Sequence, residues 1–134
     1  MTQNIKKSLI NSLYSKIRKF DFIPDLIIIL GIENSDIAIL IKNKFQTNIE
    51  IQNINFKDGF MSYFCNINYN YLQNKRVLIL DNEIDYSKIN LILNNLIHLD
   101  NIDIGVGCLK YNQNLLMESD GRFKLFYGSK KNNC

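Results

Sequence analysis

The sequence lacks the residues that mark metal-binding or disulfide-stabilised proteins. It has one histidine and three cysteines, and Cys65, Cys108 and Cys134 lie far apart. No C-x-x-C pair or cysteine–histidine spacing occurs, so the sequence indicates neither a zinc site nor a disulfide framework. A reducing compartment is then the default, which favours a cytoplasmic location. We interpret Cys65 and Cys108 as small buried apolar groups and His98 as structural or exposed.

Long apolar runs and a strong charge of one sign are also absent. No apolar run approaches the roughly 20 residues that span a bilayer, and the N-terminus has no apolar signal segment, so no membrane partner is expected. The net charge is only +3, and no basic stripe with interleaved aromatics occurs, so we expect no DNA or RNA partner. The length of 134 residues fits one domain, predicted over 1–128 and followed by a loose polar tail at 129–134.

Two segments, 25–30 and 76–80, each begin with a charged residue and continue as an unbroken apolar run, which predicts strands buried on both faces, typical of parallel sheets. The segment 57–74 is predicted as a loop or hairpin with a short strand at 60–64. Hydrophobic periodicity predicts the remaining elements: helices over 5–20, 35–45 and 87–99, and strands over 49–56, 102–108 and 123–127. This order predicts an α/β domain with a mostly parallel sheet flanked by helices.

The most informative segment is 76–87, where an apolar run leads directly into acidic residues. Open α/β sheets bind their ligands at the carboxyl ends of strands. Right-handed crossovers should bring Gly31–Ser35 and Asp81–Ser87 to the same edge of the sheet and so form one site. The alternative is that Asp81 and Asp85 form only a turn and a helix cap.

This order of parts resembles a type I phosphoribosyltransferase, particularly the xanthine–guanine or hypoxanthine branch, over roughly residues 5–128. In that family the strand reads as four apolar residues, two acids, two variable residues, Asp, and then Thr-Gly-x-Thr. Asp81 and Asp85 match the first and last acids, whereas Asn82 replaces the second acid and Tyr86–Ile89 replace Thr-Gly-x-Thr. The resemblance implies a phosphoribosyltransferase-like fold that binds phosphoribosyl pyrophosphate or a purine nucleotide, with magnesium as a cofactor.

The resemblance also implies roles for the acidic segment. Asp81 and Asn82 would hold the ribose hydroxyls, since carboxylates accept hydrogen bonds from paired hydroxyls. Asp85 would be the catalytic proton acceptor near the purine ring. Backbone N–H groups at a helix start bind phosphate, and four residues would wrap the 5′-phosphate: Tyr86, Ser87, Lys88 and Ile89.

Three further segments receive roles from the same resemblance. The pyrophosphate loop would comprise Ile32, Glu33 and Asn34, although Glu33 is unfavourable beside a polyanion unless magnesium bridges them. Lys110 would contact the exocyclic oxygen of the base, and Tyr127 would stack on it. The alternatives are that Lys110 is simply solvated and that Tyr127 is a core aromatic.

The pyrophosphate loop, the phosphate loop and the base-binding segment all depart from the family pattern, which predicts weak or lost catalysis. Three hypotheses remain open. The protein is an active transferase, a non-catalytic nucleotide sensor or assembly subunit, or a receiver-like domain suggested by Leu80–Asp85. The family commonly dimerises, so a homodimer is expected.

Overall fold

A computed structural model describes residues 2–57, 60–61, 69–96, 99 and 101–131. Its strands are, in chain order, β1 (Leu26–Leu30), β2 (Glu50–Ile54), β3 (Phe56–Lys57), β4 (Phe60–Met61), β5 (Arg76–Glu83), β6 (Asp103–Asn112) and β7 (Lys124–Lys131). Five of them form one sheet in the order β2-β1-β5-β6-β7, and every pairing in it is parallel. The predicted α/β domain with a parallel sheet is confirmed.

Helices cover both faces of this sheet. They are α1 (Gln3–Lys19), α2 (Ser35–Phe45), α3 (Tyr69–Leu72), α4 (Tyr86–Leu96) and α5 (Leu115–Glu118). The inward stripes of α1 and α2 pack with Ile27, Ile29 and Leu80 of the sheet. The inward stripe of α4 packs with Ile28 and Ile79 on the other face. Because β1 and β5 carry apolar side chains on both faces, they lie at the centre of the sheet, as expected for parallel strands covered by helices.

The order in which successive strands are added to the sheet reverses between β1 and β5. After β1 the chain crosses through α2 to β2 on one side, whereas after β5 it crosses through α4 to β6 on the other. The helices of the two crossovers therefore leave the carboxyl edge on opposite faces, and a crevice opens between the loops. This point is where open α/β sheets bind ligands.

Several boundaries differ from the sequence predictions. The strand predicted at 76–80 continues to Glu83, because Asp81 and Glu83 stay paired with Cys108 and Lys110 of β6. The turn predicted directly after Leu80 therefore begins only at Ile84. The strand predicted at 49–56 divides into β2 and β3, and β3 pairs with β4 in antiparallel orientation. The residues 62–64 of the predicted short strand lie outside the described residues.

The final strand is longer than predicted, and the two short helices α3 and α5 were not predicted. Strand β7 runs to Lys131 because Ser129 and Lys131 pair with β6, so the first three residues of the predicted polar tail belong to the sheet. The rest of that tail, His98 and Cys65 lie outside the described residues. Among the helices that the structure describes, none combines the length and apolarity that crossing a membrane requires.

Helix α1 lies against β7. The Ser12 hydroxyl donates to the Gly128 carbonyl at 2.8 Å. A Cβ placed on Gly128 would lie 2.7 Å from the carbonyl oxygens of both Leu9 and Leu109. The backbones of helix and strand approach this closely only because residue 128 has no side chain.

Candidate functional site

The site lies at the carboxyl ends of β1 and β5. Strand β1 ends at Leu30, and its register with β5 brings Asp81 into the next position on the neighbouring strand. The chain leaves β1 through Gly31, whose φ of 104° lies in the region that favours glycine. A 3₁₀ turn over Ile32–Asn34 then leads directly into α2.

Asn34 joins the two loops. Its side chain is 1% exposed, and its Nδ2 donates to the Leu30 carbonyl at 2.7 Å and to Asp81 Oδ1 at 3.1 Å. One amide group therefore fixes the turn after β1 and links it to the acidic residue on β5. The prediction that the segments after Leu30 and Leu80 meet at one edge of the sheet is confirmed.

Asp81 is half-buried in this crevice. Burial raises the pKa of its carboxyl, and the hydrogen bonds from the Asn82 N–H and the Asn34 amide offset part of this effect. The Asn82 N–H donates to Oδ1 at 2.7 Å. Nearby Lys88 also lowers this pKa, whereas nearby Glu33 raises it. A desolvated carboxylate that accepts hydrogen bonds at the carboxyl edge is suited to bind a hydroxyl-bearing or cationic group.

Asp85 caps helix α4. Its Oδ1 accepts from the Ser87 N–H at 3.0 Å and from the Ser87 hydroxyl at 2.6 Å, and its carbonyl accepts from Ile89 at 3.2 Å. The Ser87 hydroxyl bond is the main reason that the pKa of Asp85 is lowered. The structure thus gives Asp85 the capping role that was considered as an alternative. Its catalytic role stays a prediction.

The predicted phosphate loop is the first turn of α4. Ile89 is fully buried in the core, so its side chain does not reach the crevice. The Tyr86 hydroxyl donates to Asp120 Oδ2 at 2.8 Å. Ser87 is bonded to Asp85, and Lys88 contributes positive charge near both Asp81 and Asp85. Of the amides at the start of α4, that of Ser87 already donates to a carboxylate of the chain itself, Asp85.

The sequence analysis missed a second polar cluster that holds α4. Arg122 donates to both carboxylate oxygens of Asp120, and its Nη2 also donates to Asn90 Oδ1 at 2.7 Å. The bonds from Arg122 strongly lower the pKa of Asp120, whose side chain is 6% exposed. Arg122 also reaches Asn94 at 3.2 Å, one turn further along α4. Nothing local in the sequence pairs Arg122 with Asn90 or Asn94, because these residues lie about thirty positions apart.

The predicted pyrophosphate loop is occupied by its own side chains. A Cβ on Gly31 would lie 2.3 Å from a carboxylate oxygen of Glu33, so this carboxylate lies directly over the glycine. The Gly31 N–H donates to Asn53 Oδ1 at 3.1 Å. Ile32 is 70% exposed. The loop therefore presents a negative charge at the position that the resemblance assigns to an anionic group.

The residues predicted to bind the base lie on β6 and β7, beyond the loops. Lys110 lines a cleft of about 320 Å³ at the carboxyl ends of β5, β6 and β7. Tyr127 is half-buried and stacks on Tyr111, with ring centroids 5.2 Å apart, and the Lys16 ammonium lies 4.2 Å from its ring centroid. Cys108, beneath this region, is buried as predicted, and burial raises the pKa of its thiol to about 12.

The structure therefore brings together only part of the predicted set. Asn34, Glu33 and Asp81 surround one crevice, with Lys88 near enough to act on Asp81. Tyr127 contacts aromatic and lysine side chains of its own chain, which is closer to the alternative of a packed core aromatic. Within the described ranges, no group of three or more His, Cys, Asp or Glu side chains is arranged to hold a metal ion.

Comparison with known proteins identifies the fold. The sequence matches no family model and no curated protein. Among solved structures, a hypothetical protein from Neisseria gonorrhoeae with bound ppGpp is similar with a TM-score of 0.75 and 18% identity, over 99% of this chain and 82% of that one. A purine phosphoribosyltransferase from Pyrococcus horikoshii is similar with a TM-score of 0.68 and 20% identity, over 99% of this chain and 89% of that one.

A xanthine–guanine–hypoxanthine phosphoribosyltransferase from Helicobacter pylori is also similar, with a TM-score of 0.57 and 13% identity, over 96% of this chain and 79% of that one. The chain therefore has the fold of the purine phosphoribosyltransferases. The resemblance inferred from the acidic strand is confirmed at the level of the fold, and the low identities describe a divergent form of it.

Proposed function

We propose that this protein is a divergent, purine-type phosphoribosyltransferase-like protein that binds phosphoribosyl pyrophosphate or a purine nucleotide, with catalysis weak or lost. The observation that carries the proposal is the half-buried Asp81, linked at 3.1 Å to Asn34 across the crevice between β1 and β5. This crevice lies where sheets of this topology bind ligands, in a fold shared with purine phosphoribosyltransferases.

The chemistry of the crevice suits a ribose. Paired hydroxyls donate to a carboxylate, and Asp81 offers an acceptor whose partial desolvation strengthens such bonds. Asn82, exposed next to it on β5, adds an amide that both donates and accepts. We assign the ribose contacts to these two residues and the phosphate contacts to the first turn of α4.

The same geometry supports weak catalysis. The Glu33 carboxylate over Gly31 repels a pyrophosphate group, and the capping carboxylate of Asp85 competes for amides at the start of α4. Losing one set of donors that stabilises a transition state costs on the order of a hundredfold in rate. Magnesium would offset part of the repulsion, because its preferred ligands are carboxylate and phosphate oxygens.

Calorimetric titration tests the binding proposal. We expect phosphoribosyl pyrophosphate with magnesium, or at least one of the 5′-monophosphates of inosine, guanosine and xanthosine, to bind the parent protein. Asp81→Asn should weaken binding about tenfold or more, because it removes a charged hydrogen-bond acceptor worth about 1.5–3 kcal/mol. It should fold normally, since burial already disfavours the ionised carboxylate.

Asp103→Asn is the matched control. Asp103 lies on β6 of the same sheet but at the amino edge, where it pairs with Arg76 at 3.4 Å. The control should bind like the parent. Absence of binding by every ligand, or equal affinities for the two variants, would contradict the proposal.

A magnesium-dependent assay with hypoxanthine, guanine and xanthine separates an active enzyme from an inactive relative. We expect turnover to be undetectable or far below that of an efficient transferase. Robust turnover would overturn the claim of weak catalysis and leave the binding proposal intact.

The second candidate is a nucleotide sensor or assembly subunit. It is favoured by loops filled with the chain's own side chains and by the similarity to a protein that was crystallised with ppGpp. A thermal-shift screen that includes guanosine tetraphosphate tests it, and the absence of any shift would leave only an assembly role. The receiver-like alternative remains a prediction that labelling with acetyl phosphate would test. The homodimer and the cytoplasmic location also remain predictions.

A further inference from the structure

Five polar side chains line the cleft of about 320 Å³ beside the crevice: Glu83, Lys110, Asn112, Ser129 and Lys131. The register of the sheet arranges them in two rows. Glu83, Lys110 and Ser129 are paired across β5, β6 and β7, and Asn112 is paired with Lys131 two residues further along. Since side chains alternate along a strand, both rows share one face of the sheet.

Asp81 belongs to the same face, one row before Glu83 on β5. Strands lie about 4.8 Å apart and two residues span about 6.7 Å, so the Cα atoms of Asp81 and Lys110 are roughly 8 Å apart. The same spacing separates Lys110 from Lys131. A ligand of nucleotide size that contacts Asp81 is therefore long enough to reach the cleft.

The charges in this cleft are not internally compensated. Among the described residues, neither Lys110 nor Lys131 has a side-chain ion pair or hydrogen bond, whereas the neighbouring Lys130 pairs with Glu118 at 3.1 Å. Glu83 lies opposite Lys110 in the register, yet no ion pair joins them. The cleft therefore holds two ammonium groups, one hydroxyl, one side-chain amide and a single carboxylate. That carboxylate, Glu83, lies next to Lys110 and on the strand farthest from Lys131.

We propose that the Lys110–Lys131 cleft is an anion subsite for a nucleotide bound at Asp81. This inference rests on the proposed function and deepens it. The ligand carries, beyond its ribose, an anionic oxygen group that lies between the two ammonium groups and accepts from Ser129 and Asn112. The deprotonated oxygen of an acidic base and a second phosphate group share this chemistry. Glu83 opposes the anion and sets a limit on its affinity.

Three nucleotides distinguish these sources: guanosine 5′-monophosphate, xanthosine 5′-monophosphate with its acidic base, and guanosine 3′,5′-bisphosphate. We expect one of the latter two to bind the parent about fivefold more tightly than guanosine monophosphate, the scale of one exposed charge pair. The advantage should shrink with added salt. For an acidic base, it should also shrink as the pH falls and the base takes up its proton.

Variants of opposite expected sign test the cleft. Lys131→Met should remove most of the advantage, whereas Glu83→Gln should increase it, an effect that a purely structural role of the cleft would not produce. Lys124→Met is the control, because Lys124 lies on the same strand at the amino edge and pairs with Asp103. It should leave all three affinities unchanged.

A probe without a nucleotide separates failure of the subsite from failure of the proposed function. Inorganic phosphate should shift the backbone amide resonances of Ser129 and Lys131 in the parent and not in Lys131→Met. If the nucleotides bind but all variants rank them alike, the subsite is refuted and the proposed function stands. If no nucleotide binds while phosphate still shifts these amides, the proposed function fails and the anion site remains. Absence of both signals refutes the subsite.

Discussion

Replacing Asn34 by leucine removes a side chain that joins the two loops of the site. Asn34 is 1% exposed, and its amide donates to the Leu30 carbonyl at 2.7 Å and to Asp81 at 3.1 Å. Leucine has nearly the same size and shape, so the substitution removes the donors without leaving a large cavity. The perturbation is therefore mainly a loss of hydrogen bonds at a buried position.

The structure sets the scale of the effect. Leaving a buried carbonyl without its donor costs about 1–3 kcal/mol. The bond to Asp81 adds about 1 kcal/mol, because that carboxylate is only half-buried and water replaces part of the loss. We expect the free energy of unfolding to fall by about 2–4 kcal/mol, a large share of the roughly 5–15 kcal/mol that stabilises a typical domain.

Urea denaturation followed by circular dichroism measures this change. Asn43→Leu is the control, since Asn43 is exposed on α2, and its stability should change by less than about 0.5 kcal/mol. In Asn34→Leu the pKa of Asp81 should also rise further, because the Asn34 bond lowers it. A stability loss below about 0.5 kcal/mol in Asn34→Leu, or an unchanged Asp81 titration by NMR, would refute the view that this amide holds the site together.

Three further predictions concern the supporting structure. Asp120→Asn should lower the free energy of unfolding by about 1–2 kcal/mol at pH 7. Because the pKa of Asp120 is lowered in the folded protein, the parent loses this stabilisation as the pH falls below about 4, and the stability difference between parent and variant should shrink. Urea denaturation of both proteins at pH 7 and pH 3 would show this. Gly31→Ala should lower the free energy of unfolding by about 1–3 kcal/mol, mainly because of the positive φ and to a smaller extent because the flexible Glu33 carboxylate has to move away. In thermal unfolding, the double variant Gly31→Ala, Glu33→Ala should regain only the part of the lost stability that comes from the contact with Glu33. Full recovery of the parent stability would contradict the contribution of backbone strain. Gly128→Ala should cost about 1–3 kcal/mol in urea denaturation, because the new Cβ meets two backbone oxygens at 2.7 Å, whereas Gly121→Ala, with open space around it, should change stability by less than about 0.5 kcal/mol.

Local pattern was sufficient for much of the fold. The apolar runs within 25–30 and 76–80 became β1 and β5, because a strand between helix layers must be apolar on both faces. The helical spacing of six apolar residues predicted the inward face of α1: Ile5, Leu9, Ile10, Leu13, Ile17 and Phe20. Ile10, Leu13 and Ile17 are buried as expected, whereas Ile5 and Phe20, at the two ends of the stripe, are exposed. Helices of a single turn, α3 and α5, carry too few residues to show a period, and they were missed.

The limits of the polar strands depended on neighbours. Lys110, Asn112, Ser129 and Lys131 have nothing in their own sequence that marks a strand. They are held there by hydrogen bonds between β6 and β7, which extend the ladder past the apolar residues. The same holds for Asp81–Glu83 on β5. Sequence patterns predict a loop for such polar residues, whereas hydrogen bonds to the neighbouring strand keep their backbone extended.

The class of fold and the position of an acidic segment after a central strand could be predicted from the amino-acid order alone, because apolar periodicity and the strand-to-acid transition are local properties. Three relations became visible only in the folded chain: Asn34 reaches Asp81 across 47 positions, Asp85 is engaged as a cap, and Lys110 and Lys131 share one face of a cleft. Those relations depend on strand order and register, which are set by packing between distant segments and leave no signature in either segment alone.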